Sequence, residues 1–289
     1  MTTLAAIDWQ STRGGDRRSD LTLVLQEMLA LHASGATSKA GALPWGAPIP
    51  SFGDLEHAQI ATVGINPSNR EFVDQQGQEL NGDLRRFHTL SSLGLRTWAT
   101  AAENHVRLIW NTCRTYFSNN PYDIWFRQLD HLLHLSKASF YPRTDTRHLA
   151  CHLDLIPFAT TNKWTDLSLR AKKALMDAAG GSLLRLLEHS QLKILVLNGA
   201  AVVKHIQALM NIRLEQRPMG TWALPRRSGN SIPGVAFHGQ LTITTRAKTT
   251  KDLLVVGYNH NIQSSFGVTS KVRQAIRAWI ADQTSGALT

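Results

Sequence analysis

Residues 58–72, Ala58-Gln-Ile-Ala-Thr-Val-Gly-Ile-Asn-Pro-Ser-Asn-Arg-Glu-Phe72, contain an apolar run that stops abruptly at Gly64-Ile65-Asn66-Pro67-Ser68. A short apolar run ended by Gly and Pro has the pattern of a buried strand delivering its last side chains into a loop. Open parallel sheets bind ligands at the carboxyl ends of their strands. On that reading Asn66 stands at the mouth of a site, Pro67 stiffens the turn, and Gly64 permits close backbone approach.

Outward from this stretch, residues 148–157 and 192–199 read as the second and third strands of the same sheet, and 252–258 as the last. Helical patterns at 167–178 and 182–187, with Gly180-Gly181 closing the first, lie between the second and third strands. Strand, helix, strand at this interval predicts βαβ units and a parallel sheet. Upstream, Ser19-Asp20 caps an amphipathic stripe of Leu21, Val24, Leu25, Met28 and Leu31 that ends before Gly35. A Pro/Gly-rich loop with Trp45 follows at 41–50. The spacing predicts one long amphipathic helix over 97–117 and a second from Pro121, carrying Trp125 and Leu129 to Leu135. Residues 214–239, rich in Pro, Gly and Arg, read as an exposed basic loop or hairpin, 241–246 as a strand, and 269–282 as a closing helix.

With 289 residues, 43% of them hydrophobic, the chain can bury a substantial core. No apolar run approaches the roughly 18 residues needed to cross a bilayer, and the start lacks a charged-then-apolar signal pattern, so a soluble cytoplasmic protein is expected. Two cysteines, Cys113 and Cys151, are too few for a four-thiolate cluster and read as small buried hydrophobes. Without a phosphate-cradling Gly-rich loop bearing Lys, or a clustered His/Cys set, no metal and no cofactor is expected. The net charge of +10, from 31 Lys plus Arg against 21 Asp plus Glu, favours a polyanionic partner, although a merely basic soluble protein would share it.

Gly-Ile-Asn-Pro at 64–67 resembles the first motif of the uracil-DNA glycosylase superfamily, most closely its mismatch-specific uracil and thymine branch, where Gly follows; here Ser68 stands instead. In that superfamily a base-reading Asn ends a middle strand and a His-Pro-Ser-like loop follows a late one. This chain offers 153–158 and 257–265 in the same order, with Asp154 at the Asn position and His260 lacking the Pro and Ser directly after it. The resemblance covers roughly residues 55–280. It implies a three-layer αβα fold around a central, mostly parallel four-stranded sheet, with helical and loop insertions, in one domain over 55–289. Residues 1–54, comprising a basic arm at Arg13–Arg18, a helix and the Pro/Gly-rich loop, are then an addition packed on the core.

The implied activity is removal of a flipped base from DNA by hydrolysis of its N-glycosidic bond, leaving an abasic site. The sugar gains positive charge and the departing base negative charge in the transition state. By similarity to the family, Asn66 positions the attacking water and His260 hydrogen-bonds the base oxygen or the sugar-phosphate. Phe72 is an expected stacking aromatic, with Phe87 and Trp45 as competitors. Ser68, Ser264 and Ser265 are expected at phosphates, Ile262 or Phe266 as the wedge that fills the vacated stack, and Arg226 and Arg227 as added positive charge. The expected partner is DNA, as a duplex with a flipped nucleotide or as a single strand, bound by a monomer.

Asp154 is the informative departure. Asn reads uracil by donating to a carbonyl and accepting from N3–H, whereas a carboxylate only accepts and suits the exocyclic amine of cytosine. Removing ordinary cytosine would destroy the host genome, so the expected substrate is a modified cytosine, such as the hydroxymethyl or glucosylated forms of phage DNA. Three alternatives stay open: Asp154 caps Thr160 or Thr161 or pairs with a Lys or Arg, the substrate is uracil or a mismatched thymine, or the protein binds DNA without catalysis.

Overall fold

The computed structural model describes residues 20–141, 144–226, 229–244, 248–263 and 267–288. Its centre is a seven-stranded mixed sheet. The strands are β1 (Ile60–Gly64), β2 (Ala138–Ser139), β3 (His148–Asp154), β4 (Ile194–Asn198), β5 (Glu215–Pro225), β6 (Ser231–Thr244) and β7 (Thr250–Tyr258), in the order β2-β3-β1-β4-β7-β6-β5. The four strands expected from the sequence all form, and they are adjacent and parallel in the order β3-β1-β4-β7. Every residue of β1 and β4 is buried, as expected of parallel strands covered on both faces.

The sheet is wider than the expected four strands. Two-residue β2 extends it on one side, and antiparallel β6 and β5 extend it on the other. The Pro/Gly/Arg-rich stretch therefore forms a long hairpin, with Pro218 on the outermost strand, where a missing N–H costs no ladder bond.

Among the described residues, seven α-helices accompany the sheet: α1 (Asp20–Ala33), α2 (Ala36–Lys39), α3 (Glu103–Arg114), α4 (Asp123–Leu133), α5 (Leu169–His189), α6 (Ala200–Met210) and α7 (Ser270–Thr284). Two groups stand out, α1 with α2, α3 and α5, and α4 with α7, while α6 lies on β4 and β7. The helix expected over 97–117 is broken into α3 and two flanking 3-10 turns. The two expected helices around Gly180-Gly181 are one continuous α5, because Gly180 lies against Leu209 of α6 and the packing holds the glycine pair helical. Both cysteines are buried, and burial pushes the Cys113 thiol up to about 12. The expected basic arm at Arg13–Arg18 lies outside the described residues. Among the described residues, no helix is long and apolar enough to cross a membrane.

Candidate functional site

Because β1, β3, β4 and β7 run in parallel, their carboxyl ends and the loops that follow emerge on one edge of the sheet. A cavity of about 430 Å³ opens there, within the usual size of small-ligand sites. The β1 loop contributes Asn66, Ser68 and Glu71, β3 contributes His152 and Asp154, and the loop after β7 contributes Asn261 and Gln263. Tyr122 and Trp125, at the start of α4, and Trp164 supply half-buried aromatic surface.

The orientation of Asn66 follows from a chain of hydrogen bonds. Thr160 donates its hydroxyl proton to Asn162 O at 2.7 Å, so its oxygen is left to accept from Asn66 Nδ2 at 3.1 Å. The second amide hydrogen goes to Pro67 O at 2.9 Å. Both donors are engaged, and Oδ1 remains as an acceptor.

Asp154 lies opposite Gly64 in the β1–β3 register, and its side chain crosses the glycine. A Cβ at position 64 would sit 2.4 Å from Asp154 Oδ1 and 3.0 Å from His152 Nε2, so only glycine fits. The close approach that Gly64 permits is thus to these two side chains. His152 Nδ1 meets Thr62 Oγ1 at 2.7 Å and Nε2 faces Asp154 Oδ1 at 3.4 Å, with both residues almost fully buried. Among the described residues, Asp154 neither caps Thr160 or Thr161 nor pairs with a Lys or Arg; His152 faces its Oδ1, and Oδ2 is left to the cavity.

No motif in the sequence singles out Glu71. Ser68 accepts from Arg70 N and caps a 3-10 turn at Asn69–Glu71, which folds Glu71 back into the protein at 3% exposure. Burial pushes its carboxyl up to about 7, against the opposing effects of the Tyr116 hydrogen bond and the Arg86 charge, and Asp154 adds to the rise. Its signal in the sequence is a lone acid joined to Phe72-Val73, both of them buried. Trp125 reads from sequence as part of an apolar helix stripe; here it lies edge-on to His152 at 5.0 Å in the cavity wall. Arg86 sits 5.4 Å over the Tyr122 ring and holds it in place, its own guanidinium donating to Arg70 O and Asn120 O.

Several expected positions fall elsewhere. His260 is buried and does not line the cavity; its Nε2–H donates to Trp222 O at 2.7 Å, because the β5–β6 hairpin brings that carbonyl over the end of β7. Phe72 is 1% exposed and packs edge-on to Trp45 and against Phe87, since the Ser68-capped turn sends it into the core. Ile262 is likewise buried and cannot reach a base stack as a wedge. Lys251 of β7 is turned to the other end of the sheet, where it donates to Leu187 O and Ser190 O at the end of α5.

Arg226 is exposed at the hairpin tip. Ala236 of β6 pairs with Tyr258 at the end of β7, so the five residues 231–235 carry the tip beyond the edge where the cavity opens. Arg227, Ser264, Ser265 and Phe266 lie outside the described residues. For a metal, Asp54, Glu56 and His57 place ligand atoms within 4.8 Å of one another, but none lines the cavity and Arg114 already approaches Asp54 and Glu56 at 3.6 and 3.5 Å.

No protein-family model matches the chain, and no curated protein matches it.

Proposed function

We propose that this protein is a DNA glycosylase of the uracil-DNA glycosylase type, acting on a modified cytosine. The observation that carries this reading is the meeting of Asn66 and Asp154, from two different strand ends, in one aromatic-walled cavity. The parallel β3-β1-β4-β7 core with its two helix groups fits the three-layer arrangement of that superfamily.

In this reading the flipped base enters between Trp125, Tyr122 and Trp164, and its exocyclic amine donates to the Asp154 carboxylate. Asn66 Oδ1 accepts a hydrogen from the attacking water and aims its oxygen at C1′. A neutral amide is a weak base, so Asn66 acts by orientation, and electrostatics supply most of the rate. The C1′–N1 bond breaks with its electrons on the base, water supplies the new C1′–O bond, and the water proton ends on the released base. The net charge of +10, and Arg226 on the cavity side of the sheet, supply attraction for the DNA backbone.

The test incubates the protein with duplexes containing cytosine, hydroxymethylcytosine, glucosylated hydroxymethylcytosine, uracil or a G·T mismatch, and scores alkali-cleavable abasic sites. Abasic sites are expected only in the modified-cytosine DNAs, and N66A should lower the rate by at least a hundredfold, on the order of one lost orienting group. Processing of uracil DNA alone would refute the reading of Asp154. Undiminished N66A activity would refute the role of Asn66.

A further inference from the structure

Two carboxyl groups, Glu71 and Asp154, line one cavity that presents three half-buried aromatic rings. The geometry points to a division of labour between them: Glu71 in its protonated form donates to N3 of a cytosine-type base while the Asp154 carboxylate accepts from the exocyclic amine. The inference rests on the glycosylase reading for the identity of the ligand and names a group that reads its edge.

The hydrogen-bond polarity around Glu71 supports the assignment. Tyr116 OH accepts from Tyr122 N at 2.9 Å, so its single proton is directed to Glu71 Oε2 at 2.8 Å. Oε2 is therefore occupied as an acceptor, and a proton on Glu71 belongs on Oε1. Among the described residues no hydrogen bond reaches Oε1, although the residue is 3% exposed and lines the cavity. A protonated carboxyl placed this way can donate from Oε1 to an acceptor in the cavity.

The groups that act on Glu71 are the Tyr116 hydroxyl, the Arg86 guanidinium and the Asp154 carboxylate, while His152 and Lys163 line the same cavity. Arg86 is already committed to two backbone carbonyls. Burial dominates, so the carboxyl keeps its proton up to about pH 7. Gln263 adds a second donor, since its Nε2 is buried without a partner while its Oε1 accepts from Asn198. Asp154, Glu71 and Gln263 together then offer one acceptor and two donors, the complement of the amine, N3 and O2 of cytosine. Uracil presents O4 and N3–H at the first two positions and meets an acceptor and a donor of the wrong sense. A donor at N3 also stabilises the negative charge that the base acquires as C1′–N1 breaks.

The sign of the pH effect follows directly. The donor is present below Glu71's folded pKa and is lost above it, so recognition weakens as pH rises through about 7. Wild type, E71Q and E71A are compared by calorimetric binding of 5-hydroxymethyl-2′-deoxycytidine and 2′-deoxyuridine, and by kcat/KM on modified-cytosine DNA, from about pH 5.5 to about pH 8.5. Wild type is expected to lose roughly tenfold per pH unit above the transition. E71Q, whose amide accepts from Tyr116 and still donates to the base, should show a flat profile with affinity retained. E71A should bind weakly throughout. Equal pH profiles for wild type and E71Q, or full affinity in E71A, would overturn the inference. The readouts separate the two proposals. Nucleoside binding with the Glu71 pH dependence but no abasic sites sinks the glycosylase reading alone. Abasic sites formed with an unchanged E71Q profile sink the Glu71 assignment alone, and neither binding nor cleavage sinks both.

Discussion

Asn66 and Asp154 are oriented by their neighbours rather than by their own sequence context. Thr160 fixes which face of the Asn66 amide is left open, and Gly64 leaves the space that Asp154 occupies. If Asp154 selects the base by accepting from an amine, D154N should reverse the preference, because an amide can donate to O4 and accept from N3–H. We expect at least a tenfold loss on modified-cytosine DNA and new activity on uracil DNA, read by the same abasic-site assay; the figure corresponds to about 1.4 kcal/mol, the scale of one base contact. A D154N protein with unchanged preference would place discrimination elsewhere. At this scale the sequence order was informative for Asn66 and Asp154, which lie at strand ends. It was not informative for His260, whose ring is claimed by Trp222 O from a hairpin whose pairing no local pattern reveals. Nor did it single out Glu71, whose importance comes from being folded back beside Tyr116, 45 positions away.

Among the elements, α5 and the β5–β6 hairpin depart most from the sequence pattern. A Gly-Gly pair reads as a helix stop, since glycine costs roughly 1 kcal/mol in a helix interior. Here tertiary packing overrides that cost. The two glycines differ: a Cβ at Gly180 would lie 3.1 Å from Leu209 Cδ1, whereas one at Gly181 meets nothing within 4 Å. G181A should therefore stabilise the protein by about 0.5–1 kcal/mol, a rise of roughly 2 °C in Tm by calorimetry. G180A should gain less, because Leu209 must shift. A drop in Tm for G181A would show that the flexibility of α5 matters to the fold. The Pro, Gly and Arg content of the hairpin masks the alternation of its strands, and only pairing with β7 orders it.

Across the whole molecule, the excess of 31 basic over 21 acidic side chains is the property that bears on a partner. Phosphate contacts make affinity fall with salt, so binding to non-specific duplex DNA should weaken by roughly a hundredfold between about 50 and 200 mM salt, measured by fluorescence anisotropy. Binding insensitive to salt would count against DNA as the partner. Removing Arg226 with R226A should lower the salt slope by roughly one if the hairpin tip touches a phosphate.

The sequence by itself determined the α/β class, the four parallel core strands and the strand-end position of Asn66 and Asp154. Apolar runs broken by Gly and Pro are local signals, and the parallel direction of the strands follows from the helices between them. Only the tertiary structure decided that the sheet has seven strands, that His260, Phe72 and Ile262 are buried away from the cavity, and that Glu71, Tyr122, Trp125 and Gln263 face it. Those outcomes depend on contacts between segments far apart in the chain. Whether a side chain meets a carbonyl, a ring or open space is settled by what the rest of the fold brings beside it.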